Sequence, residues 1–201
     1  MKTLHVHQLR YHTYGPFDLE VAAGECVCLT GASGAGKTMM LRAIADLDPH
    51  DGKVSLDGTQ CEDMHAPDWR RMVGFLPTEC RWWLPTVGPH CKEWQMELLD
   101  TLGFGEETLD WEVTRLSTGE KQRLGLCRLL SRSPEALLLD EPTASLDQRN
   151  VASAEEAILA YAREHEAPVL WVSHDPAQRA RVARRSYVLA DGELRPWRGE
   201  T

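Results

Sequence analysis

The sequence predicts an α/β fold in which helices lie on both faces of a mostly parallel sheet. Short apolar runs that are typical of buried strands alternate along the chain with longer segments of helical spacing. The glycine-rich run GASGAGKT, at 31–38, stands between one such strand and a helix. The run LLLDE, at 137–141, ends an apolar strand on two carboxylates. Strands that alternate with helices indicate a parallel sheet whose faces the helices cover.

The elements follow from their spacing and their flanking residues. Apolar runs bounded by glycine or turn residues predict strands, and apolar residues spaced three and four apart predict helices. The predicted strands are ECVCLTG (25–31), GKVSLDG (52–58), MVGFL (72–76), EALLLDE (135–141), APVLWVS (167–173) and a hairpin in YVLADGELRPW (187–197) that turns at Asp191-Gly192. The predicted helices are KTMMLRAIADL (37–47), HCKEWQMELLDTLGF (90–104) and about 148–165.

The composition fits one globular domain and limits its partners. The chain has 201 residues, 42% of them hydrophobic and 26% charged, with a formal net charge of −9. Nucleic-acid binding needs a basic surface, so this charge argues against nucleic acid as a partner but allows one basic phosphate pocket. No segment approaches the ~20 apolar residues that span a bilayer, and the N-terminus has no signal-peptide core. We therefore expect a cytoplasmic protein.

The run GASGAGKT matches the phosphate-binding pattern GxxxxGK[ST], between the strand and the helix that this pattern requires. Glycines let backbone N–H groups approach phosphates, and the helix N-terminus adds a favourable dipole. Lys37 is expected to reach the β- and γ-phosphates, and the Thr38 hydroxyl to bind Mg²⁺. A chance glycine-rich turn is the alternative, which this context disfavours. We expect nucleotide contacts from Gly31, Ser33, Gly34, Gly36, Lys37, Thr38 and Met39.

Two carboxylates follow the most apolar predicted strand. Asp140 is expected to bind Mg²⁺ through water, and Glu141 to orient or deprotonate the attacking water. Two acids at a strand end could instead cap the next turn. Beside a phosphate loop, that alternative loses most of its weight.

Further motifs follow in order, LSTGEKQR at 116–123, SLD at 145–147 and VSHD at 172–175. Together with the phosphate loop and the two carboxylates, they resemble the ATP-binding cassette (ABC) ATPases over essentially the whole chain. The resemblance implies the P-loop NTPase fold of these ATPases, with a mostly parallel core sheet, an antiparallel β part and an inserted helical subdomain. We expect one ABC ATPase domain over 1–201, with its core at about 1–78 and 134–201 and the helical subdomain at about 79–133.

The resemblance implies a head-to-tail homodimer that encloses two ATP molecules, with Mg²⁺, between the phosphate loop of one subunit and the LSTGE signature of the other. Ser117 and Gly119 would contact the γ-phosphate across the interface, and Asp147 would link the two sites. His174 would contact the γ-phosphate and couple it to Glu141.

The family also implies an aromatic residue near the start of the chain that stacks on adenine. Tyr11 is the first candidate and Tyr14 the second. For either residue, the alternative is a packed strand aromatic.

Two positions depart from the family pattern. Thr118 stands where the signature commonly has glycine, and could crowd the backbone near the nucleotide. Thr78 stands where the strand matching VGFLP ends in a glutamine that touches Mg²⁺ and the attacking water. Its hydroxyl still offers a metal ligand on a shorter side chain, and Glu79 or a water could substitute. We expect weakened coupling rather than lost ATP binding.

The segment GFLPTECRWWLPT, at 74–86, carries two adjacent tryptophans between prolines, which break regular structure and indicate a loop. In the family, this region meets the coupling helices of an integral membrane permease. Trp82 and Trp83 are therefore expected to anchor docking through about 78–86, because aromatic side chains are favoured at interface centres. The alternative is that one or both tryptophans fold back onto the helical subdomain.

The resemblance implies the ATP-hydrolysing subunit of a membrane transporter, peripheral on the cytoplasmic face of the inner membrane. Soluble relatives that act on ribosomes or DNA carry two cassettes or long coiled-coil insertions, and this chain has neither. Degenerate regulators lose Lys37, Glu141 or His174, and all three are present. The run from TGEKQR to LWVSHD resembles the FetA-type ATPases, which are implicated in iron export. Lipoprotein-releasing and haem-exporter types are alternatives.

Overall fold

The fold is described from a computed structural model that places residues 2–197. Met1 and 198–201, the end of the predicted core segment 134–201, lie outside the described residues. The strands are β1 (Leu4–Tyr11), β2 (Tyr14–Val21), β3 (Cys26–Thr30), β4 (Asp51–Leu56), β5 (Thr59–Gln60), β6 (Val73–Leu76), β7 (Ala136–Asp140), β8 (Val169–Val172), β9 (Arg185–Ala190) and β10 (Glu193–Pro196). The helices are α1 (Lys37–Ile44), α2 (Ala66–Met72), α3 (Met96–Thr101), α4 (Thr118–Leu130), α5 (Gln148–Glu164) and α6 (Pro176–Val182). Across 2–197, no helix combines the length and the apolar character that crossing a membrane requires.

A six-stranded sheet forms the centre of the molecule, in the strand order β10-β9-β3-β8-β7-β6. Five of these strands are mutually parallel, and β10 pairs antiparallel with β9 across the turn at Asp191-Gly192. The predicted parallel sheet and C-terminal hairpin are thereby confirmed. Because the carboxyl ends of parallel strands meet at one edge of a sheet, the loops that follow β3, β7 and β8 converge there.

Every residue of the central strands β3, β7 and β8 is buried. Their side chains alternate between two cores. Cys28 and Leu139 pack with residues of α4 and α5, whereas Leu29 and Leu138 pack with residues of α1. Strands that are buried on both faces are apolar without alternation, which is why these runs were recognisable in the sequence.

A four-stranded antiparallel sheet, in the order β2-β1-β4-β5, covers the α1 side of the molecule. Leu4 and Val6 of β1 point into the core, while the alternating His5 and His7 are exposed. This period of two places one face of the sheet on the core and the other in solvent. The predicted strand at 52–58 is β4 of this sheet.

The segment between β6 and β7 is less helical than the spacing of 90–104 predicted. The helix α3 begins only at Met96, because the residues before it use their polar groups elsewhere. The indole N–H of Trp94 donates to the Gly88 carbonyl at 2.9 Å, and the backbone N–H of Gln95 donates to the Ser131 hydroxyl at 3.1 Å. These contacts fold 88–95 as a loop against α4.

The two adjacent tryptophans occupy different environments. Trp82 packs against the core that contains α4, whereas Trp83 is 68% exposed. The buried His90 ring lies between them, 4.8 Å from each ring centre. Its Nε2 accepts the backbone N–H groups of Trp83 and Leu84 at 3.0 Å each. Because Nε2 is an acceptor, Nδ1 carries the proton and donates to the Val87 carbonyl at 3.1 Å.

Candidate functional site

Glycines and a lysine shape the loop between β3 and α1. Gly31 has a φ of 144°, and a Cβ there would lie 2.3 Å from the carbonyl oxygen of Leu189. Gly36 precedes α1 with a φ of 97°, in the left-handed region that favours glycine. The Lys37 amine donates to the Gly31 and Ala32 carbonyls at 2.9 Å each. The loop therefore curls around the lysine head.

The Lys37 amine is a buried cation with neutral acceptors. Burial lowers its pKa, and the negative charges of Glu141 and Asp140 act in the opposite direction. A phosphate oxygen that replaced one of the carbonyls would supply a direct counter-charge, and charge-assisted hydrogen bonds are stronger than neutral ones. The geometry therefore suits a phosphate ligand.

Thr38 and Asp140 come together from α1 and β7. The Thr38 hydroxyl donates to Oδ2 of Asp140 at 2.7 Å, and Asp140 is buried. The Thr78 hydroxyl donates to the backbone carbonyl of Asp140 at 3.2 Å. Hydroxyl and carboxylate oxygens suit Mg²⁺, which takes one or two carboxylates and completes its shell with phosphate and water. Thr38 and Asp140 therefore fit Mg²⁺ bound with a nucleotide.

Glu141 and His174 form a pair at the ends of β7 and β8. Nε2 of His174 lies 2.9 Å from Oε1 of Glu141, and both side chains are partly exposed. Glu141 has a φ of 49°, so its backbone turns sharply as it leaves the strand. A carboxylate and an imidazole in contact can hold a water and move its proton, which is the arrangement that general base catalysis needs.

One cavity of about 280 Å³ collects most of the predicted site residues. Its lining consists of Ser33, Gly34, Gly36, Lys37, Thr38, Met39, Thr78, Asp140, Glu141 and His174. Gly31 lies behind this lining, as an acceptor for Lys37. Ser117, Gly119, Asp147 and Tyr11 are not among the lining residues.

The signature residues lie at exposed helix starts. Ser117 caps α4, accepting the Glu120 N–H at 3.2 Å, while its own N–H donates to the Glu120 carboxylate at 2.8 Å. Asp147 caps α5 in the same way, by accepting the N–H of Asn150 at 3.0 Å. A Cβ on Gly119 would lie 3.0 Å from the Ser145 carbonyl oxygen, so the signature packs closely against the SLD turn.

We expect Glu120→Gln to keep α4 capped while removing an acid-sensitive contribution to stability. The backbone N–H of Ser117 is the main cause that lowers the Glu120 pKa. This contact therefore stabilises the fold above the unfolded carboxyl's pKa of about 4.3, and is lost as pH falls through the lower folded value. Glutamine completes a capping box at any pH.

Thermal unfolding measured from about pH 7 down to about pH 3 tests this expectation, because linkage predicts a shallower decline for Glu120→Gln than for the parent. The control is Glu97→Gln, a change at an exposed carboxyl in the first turn of α3. A decline in Glu120→Gln as steep as in the parent would contradict the capping role.

The structure contradicts the adenine-stacking role predicted for Tyr11. Its ring is 2% exposed and packs 5.6 Å from Phe17, and its hydroxyl donates to the Gly36 carbonyl at 3.2 Å. Burial also raises its pKa. A ring enclosed in this way has no face free for a base. Tyr14, the second candidate, is half-buried, and its hydroxyl donates to the Gly34 carbonyl at 3.2 Å, at the edge of the phosphate loop.

Residues 14–144 match the family described as ABC transporter. The molybdenum import ATP-binding protein ModC of Rhizobium etli is 35% identical over 203 residues, covering 90% of this chain and 56% of ModC. The aliphatic sulfonates import ATP-binding protein SsuB 1 of Pseudomonas fluorescens is 35% identical, covering 88% of this chain and 67% of that protein. The phosphate import ATP-binding protein PstB 2 of Natronomonas pharaonis is 34% identical, and the match covers 88% of this chain and 71% of PstB 2. The chain thus spans little more than half of ModC and about two thirds of SsuB 1.

Two solved structures share the fold. An ATP-binding subunit of an ABC transporter superposes with a TM-score of 0.86 at 22% identity, covering 95% of this chain and 87% of that chain. A bacterial Atm1-family ABC exporter with ATP bound superposes with a TM-score of 0.82 at 24% identity, and the match covers 96% of this chain and 38% of the exporter chain. At these identities the likeness concerns the fold, whereas the family assignment rests on the sequence match. The chain belongs to the ABC transporter family and has the fold of its ATP-binding domain.

Proposed function

We propose that this chain is the Mg²⁺-dependent, ATP-hydrolysing subunit of a transporter whose membrane permease is a separate protein. The observation that carries the proposal is the cavity where the phosphate loop meets the Thr38–Asp140 pair and the Glu141–His174 pair. The first pair suits metal-bound phosphates, and the second suits activation of water.

In the proposed reaction, the loop's N–H groups and Lys37 bind the β- and γ-phosphates of ATP. Mg²⁺, when held by Thr38 and Asp140, would neutralise charge on those phosphates. Glu141 accepts the proton of the attacking water. His174 contacts the γ-phosphate and also holds the Glu141 carboxylate in place. The buried β7 and β8 fix the strand ends from which these two side chains leave.

The proposed active form is a head-to-tail homodimer. Ser117 caps α4 on an exposed surface, and Asp147 is also exposed. Since neither residue lines the cavity of its own subunit, a second copy is the natural supplier of signature contacts to the nucleotide. This arrangement makes ATP part of the interface, so binding closes the dimer and hydrolysis opens it.

The exposed Trp83 is the proposed anchor for the permease, within the docking segment at about 78–86. Trp82 is committed to the fold, because the Arg128 guanidinium lies 4.4 Å above its ring and the core packs beside it. Trp83 is held beside His90 with most of its surface exposed, at 68%. A rigid, exposed tryptophan suits an interface centre, because little conformational entropy is lost on binding. The subunit would then lie peripherally on the cytoplasmic face of the inner membrane.

Cargo and direction are not set by the cavity, because a permease would supply them. The three relatives described above are named for import of molybdenum, aliphatic sulfonates or phosphate. None of the three names supports the iron export suggested by the FetA-type resemblance. We therefore propose neither iron as the cargo nor export as the direction. The proposal favours a transporter subunit over a soluble ABC ATPase.

Co-purification from native membranes with ATP tests the proposal. Glu141→Gln is expected to recover a polytopic membrane protein, and adding Trp83→Ser should reduce that recovery by at least about tenfold, as for a hot-spot tryptophan. The matched control adds Met96→Ser, since Met96 is another exposed apolar side chain, at 45%, on α3. Recovery of soluble partners alone would favour a soluble ABC ATPase and contradict the transporter proposal.

We also expect Thr78→Gln to raise ATP turnover without changing ATP affinity. The Thr78 hydroxyl lines the cavity but donates to the Asp140 backbone carbonyl, so its hydrogen is already used and is not available to orient an attacking water. A glutamine reaches farther and can bond to that water, which improves orientation by up to about tenfold in rate. Steady-state ATPase and transport assays provide the measurement. Unchanged values in both assays would show that position 78 does not limit coupling.

A further inference from the structure

We propose that Gln178, on α6, is a positioning residue that holds the turn carrying His174 against the turn that follows Glu141. The inference rests on the proposed ATPase function and adds to it a residue outside the nucleotide cavity. Gln178 lies four residues after His174 in the sequence and is not part of the VSHD motif.

The Gln178 side chain uses all its polar groups. It is 5% exposed. Its amide nitrogen donates to the hydroxyl of Thr143 at 2.8 Å and to the carboxylate of Glu155 at 2.9 Å. Its amide oxygen accepts the hydroxyl of Ser173 at 2.7 Å. A glutamine amide carries two donor hydrogens and an acceptor oxygen, which matches these three partners.

The partners of Gln178 lie directly beside the two reacting side chains. Ser173 immediately precedes His174, and its hydroxyl also accepts the backbone N–H of Asp175 at 3.2 Å. Thr143 follows Glu141 by two residues. Gln178 therefore connects the turn of the imidazole to the turn of the carboxylate through two hydrogen bonds.

Side-chain packing does not fill the space beside these turns. A cavity of about 270 Å³ lies there, lined by Glu141, Thr143, Ala144, Val151, Ser173, His174, Asp175 and Gln178. The 2.9 Å contact between His174 and Glu141 joins partly exposed side chains, so it depends on where their turns sit. Buried polar groups that are fully paired hold one arrangement rigidly, which makes this network suited to fixing that distance.

Two arginines lie beside the network, one on its inner side and one on its outer side. The Arg179 guanidinium donates to the His174 carbonyl at 3.1 Å and approaches the Thr30 hydroxyl at 3.3 Å. On the outer side, Arg181 donates to Oε1 of Glu155 at 2.7 Å, the same oxygen that Gln178 contacts. Arg181 touches neither turn and its side chain is half exposed, so its removal changes only the outer edge of Glu155 and serves as a control.

The first test compares steady-state kinetics of Gln178→Leu with the parent. We expect kcat to fall by about tenfold, since small misplacements of reacting groups cost up to ~100-fold. The KM for ATP should stay within about twofold, because the phosphate loop is untouched. Thr143→Val, which removes one partner with little change of shape, should lower kcat in the same direction. It also keeps the test open if Gln178→Leu fails to fold.

A charge-exchanged pair separates positioning from packing. Gln178→Glu alone sets two carboxylates against each other and should lower kcat. In the double variant Gln178→Glu/Glu155→Gln, the new amide at position 155 on α5 donates to the new carboxylate at position 178. The hydroxyls of Thr143 and Ser173 donate to the same carboxylate. We expect this double variant to recover kcat to within about threefold of the parent, because the hydrogen bonds are restored with reversed direction. Arg181→Ala should keep kcat within about twofold, since its bond is partly solvent-exposed.

The outcomes distinguish this inference from the proposed function. Parent turnover no faster than that of Lys37→Ala would overturn both. Normal parent turnover with unchanged kcat in Gln178→Leu and Thr143→Val would overturn the positioning role alone. The positioning role would also be overturned if Arg181→Ala lost as much kcat as Gln178→Leu, or if the kcat of the double variant were no higher than that of Gln178→Glu. Binding of a fluorescent ATP analogue and thermal unfolding, measured on each variant, show that the fold and the phosphate loop are intact.

Discussion

Glu141→Gln is expected to bind ATP as tightly as the parent while hydrolysing it at least about 100-fold more slowly, because removing a general base costs about 10²- to 10⁴-fold. The substitution keeps the size of the side chain and replaces the proton acceptor by an amide. The Lys37 amine and its loop do not depend on this carboxylate for hydrogen bonds. ATP should therefore accumulate at the site, and a dimer that opens on hydrolysis should stay closed.

Single-turnover hydrolysis and gel filtration with ATP and Mg²⁺ measure both parts of this expectation. The matched control is Glu156→Gln, which makes the same change at an exposed position of α5. The control should elute as the parent does and turn over normally. Normal turnover in Glu141→Gln would place the base elsewhere, and His174, its partner at 2.9 Å, would be the next candidate.

Lys37→Ala is expected to weaken ATP binding by at least about tenfold and to abolish measurable turnover. A hydrogen bond to a charged group contributes about 1.5–3 kcal/mol, and this amine is the buried cation at the loop. The substitution also leaves the carbonyls of Gly31 and Ala32 without their donor, so the loop loses its internal support. Both effects weaken phosphate binding, and neither removes a contact of the central sheet.

Calorimetric titration with ATP and Mg²⁺ measures the change in affinity, and a parallel ATPase assay measures the turnover. Lys53→Ala is the control, since Lys53 is an exposed lysine of β4. It should leave both values unchanged. Retained turnover in Lys37→Ala would refute the assignment of GASGAGKT as the phosphate loop.

The parts of the site that the sequence predicted are those set by chain-local geometry. GASGAGKT follows a run of buried residues and the carboxylates of LLLDE end one, so their position at a strand end could be inferred. Parallel pairing of β3, β8 and β7 then brings Lys37, Asp140 and His174 to one edge. No knowledge of side-chain packing was needed for that step.

The parts that the sequence missed depend on contacts between distant residues. Tyr11 and Tyr14 lie opposite each other across the β1–β2 pair, so local spacing does not tell them apart. Tyr11 is the buried one, with its hydroxyl bonded to the Gly36 carbonyl 25 residues away. The late start of α3 depends on Ser131, 36 residues beyond Gln95. Gln178 bonds to Thr143 and Glu155, 35 and 23 residues away. Helical spacing and motif order carry no signal for such pairs.

At position 141, the residue that serves catalysis is not the residue that would give the most stable fold. A φ of 49° is a left-handed conformation that costs most residues about 1 kcal/mol, and that glycine or asparagine adopts more easily. Such costs persist where the surrounding structure over-determines the conformation, and they cluster at active sites. A library selected only for heat resistance would therefore drift away from glutamate at position 141, and its most robust members would be inactive. Only a selection that also demands turnover would keep the native residue.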